Sequence, residues 1–366
     1  MKIVIKVGTQ SILSNDGTPF EPIMKHLVEQ IVELQKAGHR IVLVSSGAVA
    51  SGRKIAQQLL GRQYGRSIAE KQVLASLGQP ELVHIYAAMF RMHKILASQI
   101  LLTKQDFQTR QHYLNIARLL REILEQKNII PIINENDSVS IEELMFTDND
   151  ELAGLIAAQM NADKLIILSN VEGVYTGHPD IAGSEFIPII GPEKGWPEVS
   201  AVKSTHGRGG MISKLGTARK MSGLGITTHI ANINQSSVIT RIIAQEQIGT
   251  TILPAKRKSN IKRWIAFNSE KRTGSISINP CLYQLLRENK RVLSILPVGI
   301  EKYDGDFKRG DLIEIRTLEG QKIGIGLAKY DANKLADYLG QKDKPIFIHY
   351  DHLHIFQEIL SERGNH

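Results

Sequence analysis

The chain has 366 residues, with 45 Lys and Arg against 37 Asp and Glu, a net charge of +8 and a single cysteine. This length suits two domains and buries large cores unaided, while one cysteine excludes an intrachain disulfide framework and fits a reducing, cytoplasmic compartment. No run approaches the roughly 18 apolar residues of a membrane span, the opening MKIVIKVGT is too short and too charged for a signal peptide, and the basic excess suits nucleotides and nucleic acid equally.

Residues 2–7 (KIVIKV) predict a short strand that ends abruptly at Gly8. Pro22 opens and Gly38 closes a helix over 22–37, with Ile23, Leu27, Val28, Ile31 and Leu34 on one face. Residues 40–46 predict a second buried strand running into Gly47, so strand, helix and strand imply a parallel pair. Further buried strands are expected at 99–102, 129–133, 164–168 and 226–231, with helices at 111–126, 149–160 and 210–222. This alternation predicts an α/β class domain over 1–255, a three-layer α/β/α sandwich with a mostly parallel central sheet. Ligands in such folds sit beyond the carboxyl ends of the strands. Around Pro254 the character changes, and 256–270, which contains KRKSNIKR, reads as a basic linker. Strand-like pieces at 275–278, 312–317 and 322–328, separated by glycine turns, predict a small all-β barrel over 271–350, with 351–366 as a polar tail.

Three glycine clusters fall at predicted strand ends or helix starts: Lys6-Val7-Gly8-Thr9, Ser45-Ser46-Gly47-Ala48, and Gly207-Arg208-Gly209-Gly210-Met211-Ile212-Ser213-Lys214. Glycines let backbone N–H groups approach anionic oxygens, and a helix N-terminus adds a favourable dipole. Each alone is more often a structural turn than a site; three together, two of them carrying a lysine, point to an anion site. Neither a P-loop nor a G-x-G-x-x-G pattern occurs. Between the glycine clusters, IINENDSV (132–139) sets Asn134, Glu135, Asn136 and Asp137 after a strand, and MFTDND (145–150) sets Asp148, Asn149 and Asp150 at a helix start. Capping and turn formation explain either cluster. A polar site explains both, with Asn and Asp holding an ammonium group and Asp orienting lysines or binding Mg²⁺. His349, His352 and His354 alternate near the end of the chain without the fixed ligand set that a metal needs, and no metal site is assigned to them.

Taken in order, K-V-G-T, V-S-S-G-A, I-N-E-N-D, D-N-D, G-V-Y-T and G-G-M-x-x-K resemble the glutamate 5-kinase family of the amino-acid kinase superfamily. Residues 294–337 resemble the PUA domain that many bacterial members carry. The resemblance implies the amino-acid kinase fold followed by a PUA-like barrel. It also implies phosphorylation of the γ-carboxylate of L-glutamate to glutamyl 5-phosphate, with ATP and Mg²⁺, as the first step of proline biosynthesis. Handover of the product to glutamyl phosphate reductase, feedback inhibition by proline, and assembly as a dimer or tetramer are implied too. By position, Lys6 and Lys214 would meet the ATP phosphates and the transferred phosphoryl group, with Asp150 organising the lysines. Gly8, Gly47, Gly209 and Gly210 would offer N–H groups to phosphate oxygens, with Arg208 and Met211 in the same ATP segment. Ser46, Gly47, Asn134, Asp137 and Asn149 would hold glutamate, and Ser169, Asn170 and Tyr175 would lie beside adenine and ribose. The chain departs from the family pattern at Ser169-Asn170, where Thr-Asp is usual. It departs again at Met145 and Thr147, where a basic residue and glycine are usual, and at Arg208, which replaces threonine. Two other functions fit the same residues: a related kinase acting on N-acetylglutamate, aspartate or carbamate, and an RNA-binding regulator acting through the PUA-like domain. Aromatic residues, which RNA recognition favours, are sparse at 5%.

Overall fold

The structure, a computed structural model, describes residues 1–14, 19–65, 67–107, 110–140, 146, 148–177, 181, 183–192, 196–197, 210–255, 273–288 and 293–356. It forms two compact units, Met1–Arg257 and Lys258–His366. In the first, β1 (Lys2–Val7) leads through α1 (Thr9–Ile12) and α2 (Glu21–Lys36) to β2 (Arg40–Ser45). Then come α3 (Ala48–Leu60), α4 (Ile68–Met92), β3 (Leu96–Leu102), α5 (Arg110–Glu125), β4 (Ile129–Glu135), α6 (Asn149–Gln159) and β5 (Lys164–Ser169). The remaining elements are β6 (Val174–Tyr175), β7 (Phe186–Ile187), β8 (Ile189–Ile190), α7 (Met211–Gly223), β9 (Thr227–Asn232), α8 (Val238–Ile243) and β10 (Thr250–Ile252).

The main sheet has the order β3-β4-β2-β1-β5-β9-β10-β8. It is parallel from β3 to β9, and β10 runs antiparallel to β9. Its central strand β1 is buried on both faces, the condition that selects an unbroken apolar run such as Ile3-Val4-Ile5. One face packs α2, α4 and α8, whose Met24, Leu27, Ile31, Leu82, Phe90 and Ile239 share a core with Ile3, Ile5, Leu43 and Ile166. The other face carries α6 against β1, β2, β4 and β5, with α5 on β4 and α7 on β9. From Leu152 to Gln159 every residue of α6 is buried, as expected of a helix apolar on all sides. Strand alternation then matters for chemistry. Ile3, Ile5 and Val7 point to the α2 layer, so Val4 and Lys6 point toward α6.

The expected three-layer α/β/α sandwich forms, with one large addition. Between 48 and 92 no element was expected, and the structure has α3 and α4 there, joined by a loop that Arg53 grips through the Tyr64 and Gly65 carbonyls. Helix α4 begins with a reciprocal Ser67–Glu70 capping box but contains Gly78 and Pro80, and exposed Val73 and Leu77 sit beside buried Leu74. No clean apolar period survives that mixture. The two helices touch through glycine: a Cβ on Gly52 would lie 1.9 Å from the Leu74 carbonyl oxygen, and one on Gly78 would lie 1.9 Å from that of Ala48.

The second unit contains β11 (Gly274–Ile278), α9 (Pro280–Glu288), β12 (Ile300–Asp304), β13 (Leu312–Arg316), β14 (Lys322–Leu327), α10 (Ala332–Tyr338) and β15 (Leu353–Ile355). Its five-stranded sheet has the order β12-β11-β13-β14-β15, over a core that includes Ile276, Phe307, Ile313, Ile315 and Phe347. Two expectations are corrected here. The unit is not all-β, because α9 and α10 contribute Leu286 and Leu335 to the core; helices this short complete too few turns to reveal a period. Nor do residues 351–356 belong to a polar tail, since Leu353 is buried and β15 pairs antiparallel with β14. The basic linker, 256–270, and residues 357–366 lie outside the described residues. Among the described residues, no helix is long and apolar enough to cross a membrane.

The glycine contact carries a clear expectation. Gly78→Ala forces its Cβ into a carbonyl and is expected to destabilise the protein by about 2 kcal/mol or more. Gly216→Ala, in α7 with nothing within 4 Å of the new Cβ, is expected to stabilise it by about 0.5–1 kcal/mol. Urea unfolding of both variants decides the matter, and equal effects would mean that α3 and α4 do not meet at Gly78.

A second expectation concerns His229 in β9. The Lys164 ammonium stands 3.2 Å from its Nε2 and the Thr251 hydroxyl 3.2 Å from its Nδ1, so Nε2 accepts and Nδ1–H donates. Burial, with Lys164 adding to it, pulls this imidazole down to about 3. The unfolded chain therefore binds the extra proton between about pH 6.5 and 3, and stability falls as pH drops through that window. Between about pH 6.5 and 4.5 the parent is expected to lose about 2 kcal/mol more than His229→Gln. Parallel slopes in urea titrations at the two pH values would refute it.

Candidate active site

Parallel register sets several chain ends side by side. Val7 pairs with Ser45 and Val44 with Ile133, which brings Gly8, Ser46 and Asn134 to the carboxyl edge of the sheet. Gly47 N-caps α3 at φ +111°, a left-handed conformation reserved for glycine, with Ile12 Cδ1 only 3.3 Å from where a Cβ would lie. A Cβ on Gly8 would sit 3.7 Å from the Lys6 Nζ, so its absence keeps room beside that ammonium group.

Asp148 starts α6. Its Oδ1 accepts the N–H groups of Asp150 and Glu151 at 2.9 and 3.1 Å, a standard N-cap. That first turn aims Asp150 back at the sheet, where it is completely buried. Lys6, arriving from β1, lies 2.6 Å from Asp150 Oδ1, and Lys214, arriving from α7, lies 2.9 Å from Oδ2. One carboxylate thus braces two buried ammonium groups, and the Asp148 carboxyl group also acts on Lys6. Burial works against the Asp150 carboxylate, but the Lys6 and Lys214 charges prevail and hold it below the ordinary value of 3.8. Burial pulls Lys6 below 10.5, opposed by Asp150 and reinforced by Lys214. Asp148 is pushed up by burial and then by Asp150, with the Ser213 hydroxyl opposing.

Beside the triad runs a chain of amides. Asn149 Nδ2 donates to Ser46 Oγ at 2.7 Å and to Asn134 Oδ1 at 2.9 Å. Asn134 Oδ1 also accepts the Glu135 N–H at 2.9 Å, and Asn134 Nδ2 donates to Gln79 Oε1 at 2.8 Å. Asn149 Oδ1 is left buried without a partner.

The model of the amino acid kinase family matches residues 1–232. The chain belongs to the amino acid kinase family. A second model, that of the PUA domain, matches residues 278–346. The chain is 40% identical to a glutamate 5-kinase of Bacteroides thetaiotaomicron over 97% of this chain and 98% of that one. It is 42% identical to a glutamate 5-kinase of Chlorobaculum tepidum over 97% of each. With one from Dictyoglomus thermophilum it shares 36% identity over 94% of this chain and 92% of that one.

In this amino acid kinase the structure joins the expected residues in two groups, Lys6–Asp150–Lys214 and Ser46–Asn134–Asn149, with Gly47 beside Ser46. Asp137 lies half-buried in the turn after β4. Gly210 N-caps α7 and Met211 opens it. Ser169 closes β5, its carbonyl accepting the Ile233 N–H at 2.9 Å, and Asn170 donates to the Gln10 carbonyl at 3.1 Å, tying that strand end to α1. Tyr175 packs edge-on to Phe186 with ring centroids 5.4 Å apart. Arg208 and Gly209 lie outside the described residues, as do Met145 and Thr147. Gln79 was not singled out from the sequence. It is polar and buried, but Gly78, Pro80 and Glu81 around it give no sequence signal that it would be.

The triad is testable as a unit. Asp150→Leu alone strands two buried lysines and is expected to cost about 3–5 kcal/mol. Replacing all three groups (Asp150→Leu, Lys6→Met, Lys214→Met) should recover most of that loss. Guanidinium unfolding measures both. A triple variant as unstable as the single one would mean that the lysines are not held by this carboxylate.

Proposed function

We propose that this chain transfers the γ-phosphoryl group of ATP to the γ-carboxylate of L-glutamate, giving glutamyl 5-phosphate. The observation that carries the proposal is one buried carboxylate bracing two lysines beside a buried amide oxygen with no partner. A carboxylate acceptor is already ionised at neutral pH, so the reaction needs no general base. Its obstacles are the approach of two anions and the charge on the moving phosphoryl group. Lys6 and Lys214 meet that charge, with Asp150 fixing their direction, and backbone N–H groups at Gly8, Gly47, Gly209 and Gly210 assist. Ser46, Asn134, Asp137 and Asn149 hold the amino acid, the free Asn149 Oδ1 accepting from its ammonium group. Ser169, Asn170, Tyr175, Arg208 and Met211 flank the nucleotide. The near full-length identity to proteins named glutamate 5-kinase supports this choice of substrate.

Magnesium fits as a companion of the nucleotide. Both Asp150 oxygens are engaged by lysines, and among the described residues no group of three or more His, Cys, Asp or Glu could hold a metal ion. Mg²⁺ usually keeps several waters and binds through substrate phosphates, where it would neutralise charge. The product, an acyl phosphate, is destroyed by water, which favours direct handover to glutamyl phosphate reductase. Proline as feedback inhibitor and a dimeric or tetrameric assembly complete the proposal.

Hydroxylamine traps acyl phosphates as hydroxamates and gives a direct readout. With ATP, Mg²⁺ and hydroxylamine, the protein is expected to form a hydroxamate from glutamate and not from aspartate or N-acetylglutamate. Lys214→Met and Asp150→Asn should lower the rate roughly 100-fold or more. Product from another acid alone would move the substrate; none at all from folded, ATP-binding protein would sink the kinase assignment.

A further inference from the structure

The polarity of the amide chain is determined by its donors. A backbone N–H can only donate, so the Glu135 N–H fixes the oxygen of the Asn134 side chain at that end. The Asn134 Nδ2 must then find an acceptor in a buried place, and the acceptor is Gln79 Oε1 at 2.8 Å. With Asn134 held this way, its Oδ1 receives Asn149 Nδ2 at 2.9 Å, and Ser46 Oγ accepts from the same nitrogen at 2.7 Å. Both hydrogens of Asn149 are committed. What remains is its oxygen, buried and unpartnered. The free end of the chain is therefore an acceptor, which bonds a charged ammonium group more strongly than the single neutral N–H of an acylated nitrogen and repels that nitrogen's acyl oxygen.

We propose that Gln79, on α4, is a positioning residue that locks Asn134 and thereby turns the Asn149 oxygen toward the substrate, selecting a free amino group over an N-acylated one. Gln79 is buried, and the side chain it bonds is buried too, so losing its acceptor leaves an unsatisfied amide with no water to replace it. Asn134 is then anchored at its oxygen alone, by the Glu135 N–H and Asn149 Nδ2, and its unsatisfied NH₂ loosens the acceptor that orients Asn149. This proposal rests on the assignment of glutamate to the site.

The test uses the full-length protein and two variants. Gln79→Met keeps the length and volume of the side chain and removes the acceptor; Gln79→Glu keeps an acceptor oxygen. Gln79→Met is expected to raise KM for glutamate about ten-fold with kcat within about three-fold. The preference for glutamate over N-acetylglutamate should fall by a similar factor, and Gln79→Glu should stay within about three-fold of the parent on every measure. Unchanged kinetics in Gln79→Met, or an equal loss of kcat in both variants, overturns the proposal. Side-chain amide exchange of ¹⁵N-labelled protein gives a readout that needs no turnover. The Asn134 NH₂ should be protected in the parent and in Gln79→Glu, and should exchange at least about ten-fold faster in Gln79→Met. Equal exchange in all three overturns the lock. A parent that shows the exchange difference but makes no hydroxamate from glutamate refutes the substrate assignment instead.

Discussion

Everything at the carboxyl edge of the main sheet depends on the single carboxylate of Asp150. Two ammonium groups are out of water there, and a buried charge is tolerated only when paired and hydrogen-bonded. Lys6 comes from the central strand and Lys214 from the first turn of α7, so the pairing ties together three elements distant in sequence. Apolar residues of similar volume often pack nearly as stably in place of a buried ion pair. Stability therefore does not explain why the chain retains two lysines on one acid. Two ammonium groups held in fixed directions in a buried, preorganised site do explain it, because such groups act on an anion without solvent reorganisation.

The second half of the site is one residue away. Asn149 and Asp150 are neighbours in the first turn of α6, and consecutive helical residues diverge by about 100°. One side chain therefore enters the ion triad while the other enters the amide chain. The backbone of α6 sets the spacing between the groups that meet charge and the group that meets the ligand. Asp148 fixes where that helix begins through its two N–H contacts, and burial of α6 on all sides fixes its depth.

Much of this was legible in the sequence. The strands ending at Val7, Ser45 and Ser169 are short apolar runs stopped by polar or glycine residues, and all three appear within a residue of their expected ends. Helix α2 appears within one residue as well, because Pro22 and Gly38 mark its ends and its apolar face is regular. The lysine, amide and acid clusters were visible as residue types at strand ends. Pairing was not visible, since which lysine meets which acid depends on strand alternation and on the rotation of α6. Helices α3 and α4 escaped for a different reason. Gly78-Gln79-Pro80 carries turn-forming residues through the middle of a helix, and tertiary packing overrides that local preference. Strand β15 was hidden because three residues are too few to display an alternation.

The unforeseen helices also explain why the amide chain can exist. Helix α3 starts right after Ser46-Gly47, and α4 carries Gln79 next to Gly78. One of the two glycine contacts between these helices is at the Ala48 carbonyl and Gly78, two residues from Ser46 and one from Gln79. A glycine contact therefore sets how far apart the two ends of the chain stand, Ser46 at one and Gln79 at the other. Asn134 and Asn149 bridge that gap with hydrogen bonds of 2.7 to 2.9 Å. A methyl group at Gly78 would push α4 outward, and even a shift of about half an ångström exceeds what such bonds tolerate without weakening. The glycine that looks like a defect in α4 is thus a spacer for the site. Packing between helices and recognition of the ligand are governed by the same contact.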